Sequence, residues 1–273
     1  MLYLISTPIG NLGDITFRAI ETLKNCDYLL CEDTRHTLSL LRHFSIHKPL
    51  VSYHKFNEEK KIPLIIEDLK KGKLIGLVSD AGTPGICDPG ERLVQKCVEE
   101  NLSFSSLPGA CAALQGLISS GLPTNRFQFW GFLARQSTQL KEEIQTILQY
   151  TATTVCYESP HRLLTTLKVI LELAPNRLLV VARELTKKFE EIKRGTAQQL
   201  MNNWQQTPLK GEIVLLFSPA SETALDWSYL SIEEHVAHLQ ESYQLSLKEA
   251  IKIVAQLRQV PKREIYTTVH QLD

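Results

Sequence analysis

The sequence predicts an α/β protein of two α/β domains, followed by a small helical segment. Three observations carry this expectation. Short apolar runs recur, each followed by a loop rich in glycine and proline and then by a helix-like stretch. That repeat is the mark of a mostly parallel sheet with its loops gathered on one edge. The repeat resumes after a break at Leu122-Pro-Thr-Asn125 with less even spacing, so the second sheet is expected to be mixed. Beyond Pro219, Leu247, Ala250, Ile251, Val254 and Leu257 fall at helical spacing. The expected boundaries are 1–122, 123–219 and 220–273.

In order, Leu2 to Ile5 reads as a strand and Thr7 to Gly13 as the loop at its end. Asp14 or Thr16 suits the cap of a helix with Phe17, Ile20 and Leu23 on one face. Tyr28 to Cys31 is the next strand, ending in Glu32-Asp33-Thr34-Arg35-His36, and a helix runs through Leu38, Leu41 and Phe44. Leu50 to Tyr53 is extended, and a helix over Ile62 to Leu69 ends at Gly72. The stretch Gly76 to Gly90, GLVSDAGTPGICDPG, takes the chain from a buried strand into a loop holding Gly82, Pro84, Gly85, Pro89 and Gly90. Asp88-Pro89 reads as a helix start. Glycine lets a ligand approach the main chain, and ligands of open α/β sheets bind outside the carboxyl ends of the strands. Phe104 to Leu107 is a strand, and Pro108 to Cys111 a third such loop before a helix ending near Gly121.

In the second part, Phe127 to Phe132 and Thr153 to Tyr157 read as strands separated by a helix over Gln139 to Tyr150. Glu158-Ser-Pro-His-Arg162 precedes a helix to about Ala174. Leu178 to Ala182 is a strand ending in Arg183-Glu-Leu-Thr-Lys187, and Glu190 to Arg194 is a candidate neighbour for it. Gly195-Thr196 opens a helix, and Gly211 to Phe217 closes the sheet. In the tail, Gln259 to Arg263 is a turn and Ile265 to Leu272 a further helix. Arg258, Lys262 and Arg263 at that junction permit nucleic-acid contact, although a small helical cap with solvated charges is the favoured reading.

The 273 residues carry 30 Lys+Arg against 30 Asp+Glu, so any basic surface for nucleic acid must be local. Six scattered cysteines form no C-x-x-C pair, and no metal site is expected. The start lacks the basic region of a signal peptide, and no apolar run reaches the roughly 18 residues of a membrane helix. A cytoplasmic protein with reduced thiols and no membrane partner is expected. There is no G-x-G-x-x-G after a strand, no P-loop, no H-E-x-x-H and no G-x-S-x-G, which lowers dehydrogenases, P-loop enzymes, zincins and α/β-hydrolases.

Ten blocks occur together and in order: TPIGNLGDIT, CEDTRHT, SYHKFNE, VSDAGTPGICDPG, LPGACA, SGLPTNRF, YESPHRL, ARELTKKFEE, RGT and GEIVLL. With them the chain resembles the tetrapyrrole methylase family (class III, S-adenosylmethionine-dependent). Within it, the likeness is to the group that methylates the ribose 2′-hydroxyl of a decoding-centre cytidine in 16S ribosomal RNA. The likeness spans essentially the whole chain. Departures are Lys55-Phe56 where the family commonly has Glu-His, Gln136 where a lysine is usual, and Gly85 in place of a bulkier apolar residue.

The resemblance implies that S-adenosylmethionine lies in the cleft between the two α/β domains, held by backbone and small residues of strand-end loops. The matching positions are Pro8, Ile9, Gly82, Thr83, Ile86, Cys111 and Ala112. It also implies a homodimer and the small ribosomal subunit as partner. A ribose hydroxyl is a poor nucleophile at neutral pH and needs a base or groups favouring its alkoxide. Glu184 or Asp80 is the candidate proton acceptor, and Lys187 the candidate for stabilising negative charge. Arg35, His36, His161, Arg162 and Arg183 are candidates for gripping RNA. For Arg183-Glu184 a salt bridge that shapes the cleft is an equal reading, and for the histidines a structural hydrogen bond is favoured over direct catalysis. The rival functions are C-methylation of a tetrapyrrole, a non-catalytic RNA- or nucleotide-binding role, and a nicotinamide oxidoreductase lacking its glycine fingerprint.

Overall fold

The computed structural model describes residues 1–204, 210–220, 230–243, 245–258 and 260–270. Residues Met1–Pro219 form one compact unit and Ala220–Asp273 a second. The first unit holds two five-stranded sheets.

The first sheet is wholly parallel, in the order β3(Leu50–Ser52), β2(Tyr28–Cys31), β4(Ile75–Val78), β1(Leu2–Ile5), β5(Phe104–Leu107). A parallel sheet is covered on both faces, so its strands bury alternate residues on opposite sides. Leu2, Leu4, Leu30, Ile75 and Leu77 pack against Ile65, Ile66 and Leu69 of α3(Glu58–Lys70) and against Leu93 and Cys97 of α4(Glu91–Glu99). Ile5, Leu29, Cys31 and Val78 pack against α1(Phe17–Asn25) and α2(Thr34–His43). Thr16 caps α1, accepting from the Ala19 amide at 3.0 Å, while Asp14 sits in a 3-10 turn before it.

Two helix starts differ from the sequence expectation. The third helix begins at Glu58 rather than Ile62, because Pro63 inside it removes only one backbone donor and leaves the turn before it intact. The fourth begins at Glu91 after Gly90, whose φ of 139 supplies the turn, so Asp88 does not cap it.

The second sheet is mixed, in the order β6(Phe127–Phe132), β7(Thr153–Glu158), β10(Ile213–Phe217), β8(Leu179–Arg183), β9(Glu191–Gly195), and only the β6–β7 pair is parallel. One face is covered by α6(Ser137–Gln149), α7(Leu163–Leu173) and α8(Ala197–Trp204). The other is covered by α5(Ala112–Ser120), which follows the first sheet in sequence but lays Ala113 and Leu117 on Val155, Val180 and Val214. Gly116 permits this approach, since a Cβ there would stand 2.8 Å from Val214 Cγ1. Gly121, at φ 76, ends the helix, and the Arg194 guanidinium donates to the Ser120 carbonyl at 2.7 Å. This docking aims the amide end of α5 between the two sheets.

The second unit packs α9(Ile232–Tyr243), α10(Leu247–Arg258) and α11(Lys262–His270) around Val236, Leu239, Ile251, Val254 and Ile265. The last helix starts before Ile265; its expected end at Leu272, and Gln259 of the turn before it, lie outside the described residues. Arg258 faces inward here. It donates to the Leu230 and Ser231 carbonyls and to the ring of buried His235, whose pKa burial lowers to about 4.

Candidate active site

The parallel order brings the carboxyl ends of β1, β4 and β5 side by side, and their loops are tied to one another by buried polar groups. Thr7 and Gly82 exchange backbone hydrogen bonds at 2.8 and 3.0 Å. Ser79 Oγ donates to the Gly82 carbonyl at 2.8 Å, and Thr7 Oγ1 to the Ser79 carbonyl at 3.1 Å. Thr83 Oγ1 donates to the Ala110 carbonyl at 3.0 Å. The hydroxyls of Thr7, Ser79 and Thr83 are thus satisfied within the platform and tie its loops together. Gly82 requires glycine: its φ is 83, and a Cβ would sit 3.2 Å from Ile9 Cγ2.

A cavity of about 440 Å³ opens over the platform. That lies within the roughly 300–1,000 Å³ of small-molecule sites. The first half contributes Ile9, Gly82, Thr83, Ile86, Cys111 and Ala112 to its wall. The second half contributes Phe132, Tyr157, Leu185 and the run Gly211–Val214 that enters β10. The start of β10 belongs here because it runs antiparallel to β7 and β8, with Ile213 opposite both Glu158 and Arg183. Cys111 precedes α5 without capping it by its side chain, and the Ala113 amide donates to the Tyr157 hydroxyl at 3.3 Å. The first-turn amides of α5 carry the partial positive charge of a helix start. Burial holds the Tyr157 phenol well above its ordinary pKa, so it stays protonated.

Five carboxylate residues line the cavity: Glu32, Asp80 and Asp88 from the first half, and Glu158 and Glu212 from the second. Asp80 accepts from the Asp33 amide at 3.2 Å. Asp88 accepts no hydrogen bond from any described residue. Burial, reinforced by the charges of Glu32 and Asp80 and opposed by Lys55, raises its pKa to about 6. The sequence reading quoted Asp88 but gave it to a helix cap; its signal was that it follows the glycine loop at only a few residues' distance.

The remaining candidates fall into three groups. Pro8 lies on the first loop but does not line the cavity. Glu184 and Lys187 stand behind the wall. Lys187 Nζ donates to Glu184 Oε1 at 2.9 Å and to Glu212 Oε2 at 3.1 Å, and Glu184 Oε1 also accepts the Glu212 amide at 3.1 Å. Burial alone would raise the pKa of Glu184, but Lys187 and that amide outweigh it and the net direction is down. Burial would lower that of Lys187, and the two carboxylates reverse it. The stem of Lys187 lies against Gly10, where a Cβ would overlap it. Glu184 and Thr186 take left-handed backbone angles, φ 53 and 65, in the tight turn after β8.

The third group comprises the basic candidates, none of which lines the cavity. Arg35 is exposed and pairs with Asp33 at 2.7 Å. His36 and His161 are exposed. Arg162 donates to the carbonyls of Leu133 and Ala134 and stands 3.4 Å from buried Glu158, which also accepts from Thr166 Oγ1 at 2.6 Å. Arg183 pairs with Glu191 at 3.0 Å. Sequence reasoning missed Gly211 and Glu212, because it looked after strands and β10 presents its beginning, and it missed Tyr157 and Phe132, at the ends of β7 and β6, because it sought small or charged residues there rather than aromatic ones. No cluster of three potential metal ligands exists among the described residues. No helix among them is long and apolar enough to cross a membrane.

A solved structure titled uroporphyrin-III C-methyl transferase from Thermus thermophilus, complexed with S-adenyl homocysteine, shares the fold. Its TM-score is 0.55 at 16% identity, covering 80% of this chain and 96% of that one. Two relatives named ribosomal RNA small subunit methyltransferase I are much more similar. The one from Halalkalibacterium halodurans is 46% identical, over 99% of this chain and 94% of the relative. The one from Bacillus subtilis is 44% identical over the same shares. The family model described as tetrapyrrole (corrin/porphyrin) methylases matches residues 1–201, the span that builds both cavity walls up to β9 and α8. By fold, by cavity and by this match, the chain belongs to the tetrapyrrole methylase family.

Proposed function

We propose that this chain transfers a methyl group from S-adenosylmethionine to small-subunit 16S ribosomal RNA, at the ribose 2′-hydroxyl of a decoding-centre cytidine. The observation that carries the reading is the 46% identity over 99% of the chain to a relative named for ribosomal RNA methylation. The cavity agrees with the donor. Its size suits a nucleoside, and Gly82 leaves a cradle that a side chain would fill. Ile9 and Ile86 offer apolar contact, while Thr83, Cys111 and Ala112 are small enough to let an adenosine meet the main chain. Apart from the Ala113 amide, which meets Tyr157, the first-turn amides of α5 suit the donor's polar edges.

When bound, the donor supplies an electrophilic methyl carbon and a neutral thioether leaving group. The chain must then align the acceptor, exclude water and take up the hydroxyl proton. The platform aligns, because its loops are tied to one another by their own hydrogen bonds. The Glu184–Lys187–Glu212 group braces the opposite wall. Asp80 is at the cavity itself. Arg35, His36 and His161 are the exposed groups suited to phosphates, whereas Arg162 and Arg183 serve the reading through the wall they hold.

The test is transfer of labelled methyl from S-adenosylmethionine to small subunits lacking the modification, with the product mapped by mass spectrometry. One 2′-O-methylcytidine in the decoding centre is expected. Donor binding without transfer to subunits or naked RNA, together with methylation of a porphyrinogen, would replace the reading by tetrapyrrole C-methylation.

A further inference from the structure

We propose that Phe132 is the surface on which the base of the acceptor nucleotide stacks, a role that rests on the methyl-transfer reading above. Single exposed phenylalanines are common on proteins and need no explanation. Phe132 differs because the backbone is bent to present it. On a regular strand, residues three apart point to opposite faces. Phe129 and Phe132 are three apart, yet both rings meet Tyr157, with centroids 5.0 and 5.4 Å away. The pairing of β6 with β7 explains this. Phe129 lies opposite Val155 and Gly131 opposite Cys156, so Trp130 is an extra residue in the ladder. A bulge of this kind re-aims the side chains beyond it. Trp130 packs among the helices on one face of the sheet, and Phe132, opposite Tyr157, returns to the face that holds the cavity. Gly131 permits the bend: its φ is 81, and a Cβ there would stand 3.3 Å from Cys87 Sγ. Without the bulge, the Phe132 ring would point into the helices.

The ring stands at the mouth of the cavity. It is 59% exposed, whereas Leu185, Ile213 and Val214 of the same wall are buried. The residues assigned to the donor come from the first half of the unit, and Phe132 comes from the second. Carboxylates of both halves line the cavity, and like charge repels phosphate. The part of a nucleotide that suits the interior is therefore its uncharged base and ribose, with the phosphates left outside. Lys55, whose charge acts on both Asp88 and Cys87, is a cation near this end. A nucleotide drawn out of its strand loses the stacking of its neighbours, and an aromatic side chain restores it. Tyr157 fixes the Phe132 ring by an edge contact, tilted at 60°, and the exposed part of the ring is left to the base. Stacking sets the plane of the base, and with it the direction of the ribose 2′-hydroxyl.

The experiment uses the full chain with undermethylated small subunits under single-turnover conditions, with donor binding measured by calorimetry. Phe132→Leu keeps an apolar side chain without the ring. It should lower the second-order transfer rate roughly 10–100-fold while donor affinity changes by less than about 3-fold. Phe132→Tyr restores a ring and should recover most of that loss. Subunits reconstituted with an abasic residue at the modified position should cost the wild type a similar factor. Phe132→Leu should then add little, because the stacking partner is already gone. A donor affinity that falls as far as the transfer rate overturns the proposal, since the ring then serves the donor. Equal losses for Phe132→Leu and Phe132→Tyr, or an undiminished Phe132→Leu loss on abasic subunits, overturn it in favour of a structural role. Transfer by Phe132→Leu within about 3-fold of the wild type overturns it outright. Absence of transfer by a wild type that still binds donor is a different result: it removes the RNA reading itself, and the stacking role with it.

Discussion

The two sheets solve the same problem, presenting groups to one cavity, in opposite ways. The parallel sheet brings all its carboxyl ends to one edge, and its loops meet the cavity with glycine, small side chains and backbone bonds. The mixed sheet divides its strand ends between two edges. It meets the cavity with the end of β7 and the beginning of β10, braced by ion pairs at Glu158–Arg162 and Lys187–Glu184–Glu212. One wall is shaped by what side chains are missing, the other by what they are bonded to. The difference predicts that the first wall is sensitive to added bulk and the second to lost charge.

The largest effect should come from the second wall. Glu158 is 2% exposed, and Glu158→Ala would strand the partly buried Arg162 and Thr166. A loss of about 3 kcal/mol in denaturant unfolding is expected. On the first wall, Gly82→Val places a β-branched residue at φ 83. It should cost about 1–3 kcal/mol, and calorimetry should show donor binding reduced at least as much as stability.

Two pH measurements sharpen the contrast, because the unpaired and paired carboxylates carry opposite signs. Asp88 is raised from 3.8 to about 6, so its contribution is full below pH 3.8 and is lost as pH rises through 6. Asp88→Asn should therefore stabilise the fold at pH 7 by about 1 kcal/mol after solvent screening, and the gain should vanish in acid. Glu184 is lowered from 4.5, so its stabilisation is present above pH 4.5 and is lost as pH falls through its folded value. Lys187→Met should flatten the acid limb of a melting-temperature profile that the parent shows. The smallest effect belongs to exposed Arg35. Arg35→Ala should leave melting unchanged and, on the proposal that Arg35 grips phosphate, reduce the salt slope of subunit binding by about 1.

What was legible in the sequence follows the same division. Glycine and proline announce a strand-end loop by themselves, so Ile9, Gly82, Thr83, Ile86, Cys111 and Ala112, assigned by loop composition and family likeness, fall on the cavity wall. Nothing local announces that Gly211–Val214 joins them, since that depends on β10 running against β7 and β8. Strand-end charge was legible as chemistry but not as partnership. Glu184 and Lys187 proved to be bonded to one another and to Glu212 behind the wall. Asp88 was hidden by a valid local rule, because Asp-Pro commonly begins a helix and only the turn at Gly90 shows that this one begins later.

The contact between Gly10 and Lys187 has a mechanical meaning. The lysine stem lies across the loop that leaves the first strand, while its ammonium is anchored to two carboxylates of the other sheet. One side chain thus works as a spacer between the jaws of the cleft. Widening or narrowing the gap requires the stem to slide over bare backbone, which glycine permits and any larger residue at position 10 would jam.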